Sequence, residues 1–257
     1  MLFVANIGNT DIQIGVFRRD TLVCTARLSS TGNRSADEYA VVLRALLTMR
    51  GVEPERIRGA VLASVVKPLS PVLAGAVETL FGIRPLFMGP GVRTGLDIKI
   101  ERPAELGADI AAACVGALAR MQPPFVVVGL GDATTLTLID RNARLCGVLI
   151  CPGAFSGAIS LSRLAAELPL ISLEEPRGLL GRNTVDSMNN GAVYGTAAMV
   201  EGLVDRLRES IGEGQLPVIA SGPLCGMILP HCRMQACEVP DLVLLGLKRV
   251  YELNSRR

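Results

Sequence analysis

The chain has 257 residues, 49% of them hydrophobic and 19% charged, with a formal net charge of +2. That length and composition bury a sizeable core without disulfides or metals, which excludes a disordered or fibrous protein. Basic residues are scattered and not blocked, so no nucleic-acid partner is expected, and apolar runs such as Ile110–Leu118 are too short to span a membrane.

Leu2–Asn6 reads as a short strand, Gly8, Asn9 and Thr10 as a turn, and Ile12–Phe17 and Leu22–Arg27 as two further strands. Ser35 and Glu38 form a capping box, Tyr39, Val42, Leu43, Leu46 and Leu47 share one helical face, and Gly51 closes that helix. Ile57–Val66 is expected as a buried strand, and Ser70 and Pro71 as the cap and first turn of a second helix. The segment 103–121 is apolar nearly all round, as in a helix buried on several sides, between two lobes or against another subunit.

The opening pattern then returns. Phe125–Val128, a turn through Gly131 and Asp132, Thr134–Ile139 and Leu145–Ile150 repeat it at a shift of 123 residues, from Asn6 to Gly129 and from Gly8 to Gly131. Self-similarity at half the chain length predicts two copies of one α/β domain, residues 1–122 and 123–257, divided near Pro123 and Pro124. In the second copy a long helix over Thr184–Ile211 carries Gly191, Gly195 and Gly202, which weaken it unless something packs closely there. Pro217–Ala220 is expected as a strand, and Asp241 as the cap of a last helix reaching Asn254.

Seven cysteines without framework spacing, and an N-terminus that enters a strand with no basic flank, predict a cytoplasmic protein. His231, Cys232 and Cys237 cluster in sequence, but a tetrahedral zinc site needs a fourth ligand that nothing nearby supplies.

A glycine turn between strands presents N–H groups with no Cβ in the way, a geometry that holds phosphate oxygens; read alone, such a turn is a hairpin. Its repetition favours phosphate, with two facing turns holding a triphosphate. The segment Asn6–Thr10 resembles the opening phosphate loop of the type III pantothenate kinases. Gly89–Leu96 is similar to that family's pantothenate signature, Leu106–Asp109 to the segment carrying its general base, and Gly147–Gly153 to a turn of its second lobe. Gly181–Thr184 with Val193–Gly195, and Gly246 through Asn254, resemble its second substrate segment and closing helix.

The resemblance implies two ribonuclease-H-like, actin-type lobes of the acetate and sugar kinase/Hsp70/actin superfamily, each a mixed sheet flanked by helices. It implies transfer of the ATP γ-phosphoryl group to pantothenate by a homodimer using Mg²⁺ and a monovalent cation such as K⁺ or NH₄⁺. Asn6, Gly8, Asn9, Thr10, Gly131, Asp132, Ala133 and Thr134 would then hold the nucleotide, and Gly89, Gly91, Arg93, Thr94, Gly107 and Thr184 the pantothenate. Asp109 is either the proton acceptor or a carboxylate that a helix N-terminus stabilises. Arg93 is either a two-pronged clamp on a carboxylate or a solvated loop residue, and Thr184 is a ligand group, a helix cap or both.

Four positions depart from the family pattern. Asn6 stands where an aspartate helps hold Mg²⁺, Gly129 where an aspartate accompanies the monovalent cation, Ile110 where an arginine follows the base, and Pro223 where a glycine completes a turn. Asp132 either returns a charge towards the same ion or stabilises its own backbone. With Asn6 and Asp132 as the candidate metal ligands, the departures allow a weakened kinase or an inactive relative that keeps the fold for binding.

Overall fold

The structure is a computed structural model describing residues 1–30 and 33–255. The chain divides into two compact units. One gathers Met1–Leu96, Glu101–Arg120 and the segment from Leu242 onward; the other takes Asp97–Ile100 and Met121–Asp241. The chain therefore changes unit at Arg120 and Met121, close to the prolines, and returns at Leu242. A single division of the sequence at one point does not describe these units, because the closing helix packs with the opening strands.

In the first unit β1 (Leu2–Ile7), β2 (Asp11–Arg18), β3 (Thr21–Ser29), β4 (Gly59–Ser64) and β5 (Leu86–Phe87) form a sheet in the order β3-β2-β1-β4-β5. Strand β1 pairs antiparallel with β2, from Leu2 opposite Phe17 to Ile7 opposite Ile12, and parallel with β4. Side chains alternate across a strand. Phe3, Ala5 and Ile7 thus enter one core with Leu43 and Leu47 of α1 (Ala36–Met49) and Leu73 and Val77 of α2 (Leu69–Phe81). Ser35 and Glu38 close the predicted capping box on α1. Helix α2 departs from the expectation: it starts at Leu69 with no side-chain cap. Ser70 lies inside its first turn, where the hydroxyl bonds Ser64 Oγ at 2.8 Å and the Val66 carbonyl at 3.2 Å.

The other face of that sheet carries α3 (Ala108–Leu118) and α7 (Leu242–Ser255). The apolar segment 103–121 is not one helix, since Pro103–Glu105 makes a separate 3-10 turn before α3 begins. Helix α3 owes its buried flank to α7. A Cβ at Gly246 would overlap the Ala112 carbonyl, and one at Gly116 would overlap the Leu242 carbonyl, so the two helices touch backbone to backbone.

The second unit holds β6 (Asp97–Ile98), β7 (Phe125–Leu130), β8 (Ala133–Ile139), β9 (Arg144–Pro152), β10 (Val218–Ser221) and β11 (Cys237–Glu238) in the order β11-β10-β7-β8-β9-β6. Apart from the short edge strand β6, this is the first unit's order again, with β7 in the place of β1 and β10 in the place of β4. The predicted duplication is thus a duplicated topology. Val126, Val128 and Leu130 pack on Val193, Ala197, Val200 and Val204 of the long helix α5 (Thr184–Ser210); α4 (Ala154–Leu164) and α6 (Cys225–Ile228) complete the unit. Among the described residues nothing lies within 4 Å of a Cβ built at Gly191 or Gly195, so no close packing there offsets the weakening that these glycines bring to the helix.

Candidate active site

The first hairpin ends on Asn6 and Ile7 of β1. The Gly8 N–H donates to the Asp11 carbonyl at 2.8 Å, Ser30 Oγ donates to the Gly8 carbonyl at 2.6 Å, and the Ser30 N–H reaches the Thr10 carbonyl at 3.0 Å. Arg27 pairs with Asp11 at the base of the turn. Asn9 and Thr10 remain exposed at its tip. Asn6 follows Val4 on the sheet face that α3 and α7 cover, and its Oδ1 is buried without a hydrogen-bond partner among the described residues. A buried amide oxygen left unpaired costs on the order of 1–3 kcal/mol, so this atom is an acceptor awaiting a donor or a cation.

The loop 89–96 of the same unit turns at Gly91 (φ +85°) and Gly95 (φ +71°), conformations that glycine alone adopts freely. Val92 N–H closes the first turn on the Gly89 carbonyl at 3.2 Å, and Thr94 Oγ1 accepts the Leu96 N–H at 3.2 Å. Arg93 and Gly89 are exposed. Asn254 of α7 grips Arg93 through its backbone: Arg93 N–H donates to Asn254 Oδ1 at 3.1 Å, and Asn254 Nδ2 donates to the Arg93 carbonyl at 2.9 Å.

Gly107 precedes α3, and Asp109 sits in the first turn. Asp109 Oδ1 accepts the Ile110 N–H at 2.9 Å and would lie 2.6 Å from a Cβ at Gly107, which explains a glycine there. Burial pushes the Asp109 carboxyl above the usual carboxylate range, against the opposing pull of the backbone N–H groups of Ile110 and of Asp109 itself. The helix terminus holds the carboxylate, and the desolvated carboxylate is a better proton acceptor than an exposed one.

In the second unit the turn between β7 and β8 is enclosed from two sides. Gly131 N–H bonds the Ala133 carbonyl at 3.2 Å, while the Asp132 carbonyl accepts Gly153 N–H at 3.2 Å and Ser156 Oγ at 2.7 Å. Gly153 begins α4, and a Cβ there would overlap the Gly131 carbonyl. Gly222 (φ +128°) presses equally hard on the Leu130 carbonyl, which also accepts the Leu224 N–H at 3.1 Å, and Pro223 lies 3.9 Å from a Cβ at Gly131. The structure thus brings Gly131, Asp132, Gly153 and Pro223 together. Ala133 and Thr134 fall in β8; Ala133 is exposed, but Thr134 is only 1% exposed and paired to a strand on each side, so it offers a ligand no surface. Thr184 opens α5, but Asn183 caps it by accepting the Asp186 N–H at 2.8 Å, because its side chain stands one residue earlier. Thr184 is exposed.

The orphaned Asn6 oxygen suits Mg²⁺, which keeps several waters and takes few protein ligands beside substrate phosphates. The monovalent cation fares differently. Gly129 offers no side-chain oxygen, and a Cβ there would stand 2.6 Å from Thr135 Oγ1, so the residues present do not fit an aspartate-held ion at that position. Sequence reasoning overlooked Ser30, Ser156 and Gly222; only the glycine next to Pro223 left a signal, as a turn dipeptide. Among the described residues no group of three or more His, Cys, Asp or Glu could hold a metal. His231 instead bonds Glu175 at 3.0 Å and meets the Tyr194 ring edge-on, and burial pushes the Cys232 thiol up to about 11.

Comparison with known proteins gives matches along the whole chain. The chain is 37% identical over 256 residues, covering all of both chains, to a type III pantothenate kinase of Exiguobacterium sp. strain AT1b. It is 38% identical to one of Moorella thermoacetica, covering 99% of this chain and all of that one. Among solved structures a ROK hexokinase of Thermus thermophilus shares the fold at a TM-score of 0.50 and 13% identity, covering 98% of each chain. The model of the type III pantothenate kinase family matches residues 2–206, and the chain belongs to that family.

Proposed function

We propose that the protein transfers the γ-phosphoryl group of ATP to the terminal hydroxyl of pantothenate. The observation that carries this reading is Asp109, a half-buried carboxylate fixed at a helix start in a chain of this family. The hydroxyl oxygen attacks the γ-phosphorus, the bond to the β-γ bridging oxygen breaks, and ADP leaves. Asp109 accepts the hydroxyl proton as the new P–O bond forms. Arg93, presented by its glycine-bounded loop, pairs with the pantothenate carboxylate and fixes the distance from that end to the reacting hydroxyl. The first turn, closed on itself by the Gly8 N–H, presents its exposed tip at Asn9 and Thr10 to phosphate oxygens. Asn6 Oδ1 would hold Mg²⁺ or one of its waters, and the ion would supply neutralisation of phosphate charge.

A homodimer is part of this reading. Leu161, Leu164, Leu170, Leu179, Leu180 and Val185 are exposed around α4 and the start of α5, and Gly191 and Gly195 are bare, which suits cover by a second copy. A cytoplasmic location accords with free cysteines throughout. The test is incubation with ATP, Mg²⁺ and pantothenate: phosphopantothenate should form, and no product above an Asp109→Ala control would leave a binding protein and not a kinase.

A further inference from the structure

The geometry points to Asn254 as a positioning residue for pantothenate, acting through Arg93. This inference rests on the kinase reading above. Asn254 belongs to the last turns of α7, 161 residues from Arg93 in sequence, yet its amide satisfies both backbone groups of that arginine. The same Nδ2 donates to the Val250 carbonyl at 2.7 Å, one turn back along α7, so the amide is held in one orientation before it meets the loop. Oxygen and nitrogen are thereby assigned by their partners: the acceptor faces an N–H and the donor faces two carbonyls.

The loop needs such a grip. Gly91 and Gly95 bracket Arg93 with left-handed backbone, and a loop built on two such glycines has many conformations to choose from when free. Leu253 of α7 adds a second contact, lying 3.4 Å from a Cβ at Gly95. The same helix is locked against α3 at Gly246 and Gly116, one to two turns beyond Asp109. Helix α7 is therefore a common frame: at one end it fixes the helix that carries the base, and at the other, through Asn254, the loop that carries the carboxylate-binding arginine. Displacement of a substrate-holding group by about 1 Å can cost a hundredfold in rate, so a rigid link between these two parts has a direct catalytic consequence.

A double-mutant cycle on the whole protein tests the assignment, with pantothenate affinity read by calorimetry and Arg93 amide hydrogen exchange read alongside. Asn254→Ala is expected to weaken pantothenate about tenfold, to leave ATP affinity within about twofold, and to speed Arg93 exchange. On an Arg93→Ala background the same substitution should change pantothenate affinity by less than about twofold, because its effect travels through that arginine. Equal losses on both backgrounds, or faster Arg93 exchange with no loss of affinity, would overturn the positioning role while leaving the kinase reading intact. Absence of pantothenate binding by the wild type would remove that reading and this inference with it.

Discussion

The two hairpin turns began as one design and now differ in what supports them. Counting from Gly8 and Gly131, the shared shift holds along β1 and β7, and then slips. Ile7 pairs with Ile12, leaving 8–11 as the connection, whereas Leu130 pairs with Thr134, leaving 131–133, so the second connection is one residue shorter. The Gly8 N–H accordingly closes on the residue three places on, and the Gly131 N–H on the residue two places on. The looser first turn is tied by a side chain, Ser30, and keeps an unpaired oxygen at Asn6. The tighter second turn is likewise tied by a serine hydroxyl, that of Ser156, but the backbones of Gly153 and Gly222 also press against it, and it has no side chain at Gly129. Strand pairing resists divergence because a slip of one residue turns every side chain over; a connection is free of that constraint.

The sharpest break in the comparison is chemical. Asp109, in the first unit, should carry the proton transfer, so Asp109→Ala is expected to lower kcat by about 10²–10⁴-fold while nucleotide affinity stays within about twofold, as measured by steady-state kinetics and calorimetry. A comparable loss of nucleotide affinity would mean that Asp109 serves the phosphates instead.

Next in size is the packing difference. Gly222→Ala places a Cβ against the Leu130 carbonyl at a positive φ and should destabilise the protein by about 3 kcal/mol in denaturant titration. Gly8→Ala meets the Asp11 carbonyl at 3.0 Å and the Asp11 carboxylate at 3.9 Å, with no positive φ, and should cost about 1 kcal/mol. Equal costs would show that both turns are equally enclosed.

Restoring carboxylates separates the two loops again. Asn6→Asp should lower the Mg²⁺ concentration for half-maximal activity by about tenfold, the equivalent of one well-placed charge interaction of ~1.4 kcal/mol. Gly129→Asp must first move Thr135 Oγ1 and should leave the K⁺ response unchanged unless Thr135 is shortened too.

The smallest effect is a pH dependence. Burial raises the Asp109 pKa in the folded protein above its ordinary value of 3.8, so the folded form binds a proton that the unfolded chain has already released. Stability conferred by that site therefore falls as pH rises from about 3.8 through the folded value, and stays lower above it. Asp109→Asn keeps the Ile110 contact and removes the cost, so its melting temperature should exceed wild type at pH 7 and converge with it below about pH 4. A melting temperature equal to wild type at pH 7 would show that the carboxylate is not desolvated.

Much of the fold was legible because it depends on local periodicity. The repeated strand-turn-strand segments, the capping box at Ser35 and the long helix from Thr184 rest on neighbours within a few residues, and so they can be read in one dimension. In the candidate site, residue type made the conformation legible at Gly91, whose backbone is left-handed, whereas the roles of Arg93 and Asp109 come from the family resemblance. Three features escaped. Ser70 offered the same cap chemistry as Ser35, but its hydroxyl found Ser64, on the neighbouring strand. Thr184 and Asn183 are both good caps, and only the backbone at Asn183 has the extended conformation that lets a side chain reach back. The break at the prolines gave no hint that the last helix would return to the first strands.

What the sequence determined by itself was therefore the set of elements, their duplication and the chemical types gathered in each loop, since these follow from spacing and composition. Only the tertiary structure decided that Asn254 grips Arg93, that Gly116 and Gly246 let two helices touch, and that the oxygen of Asn6 is buried with no partner among the described residues. Each of these is a contact between residues far apart in the chain or a solvation state, and both depend on how the backbone closes in three dimensions.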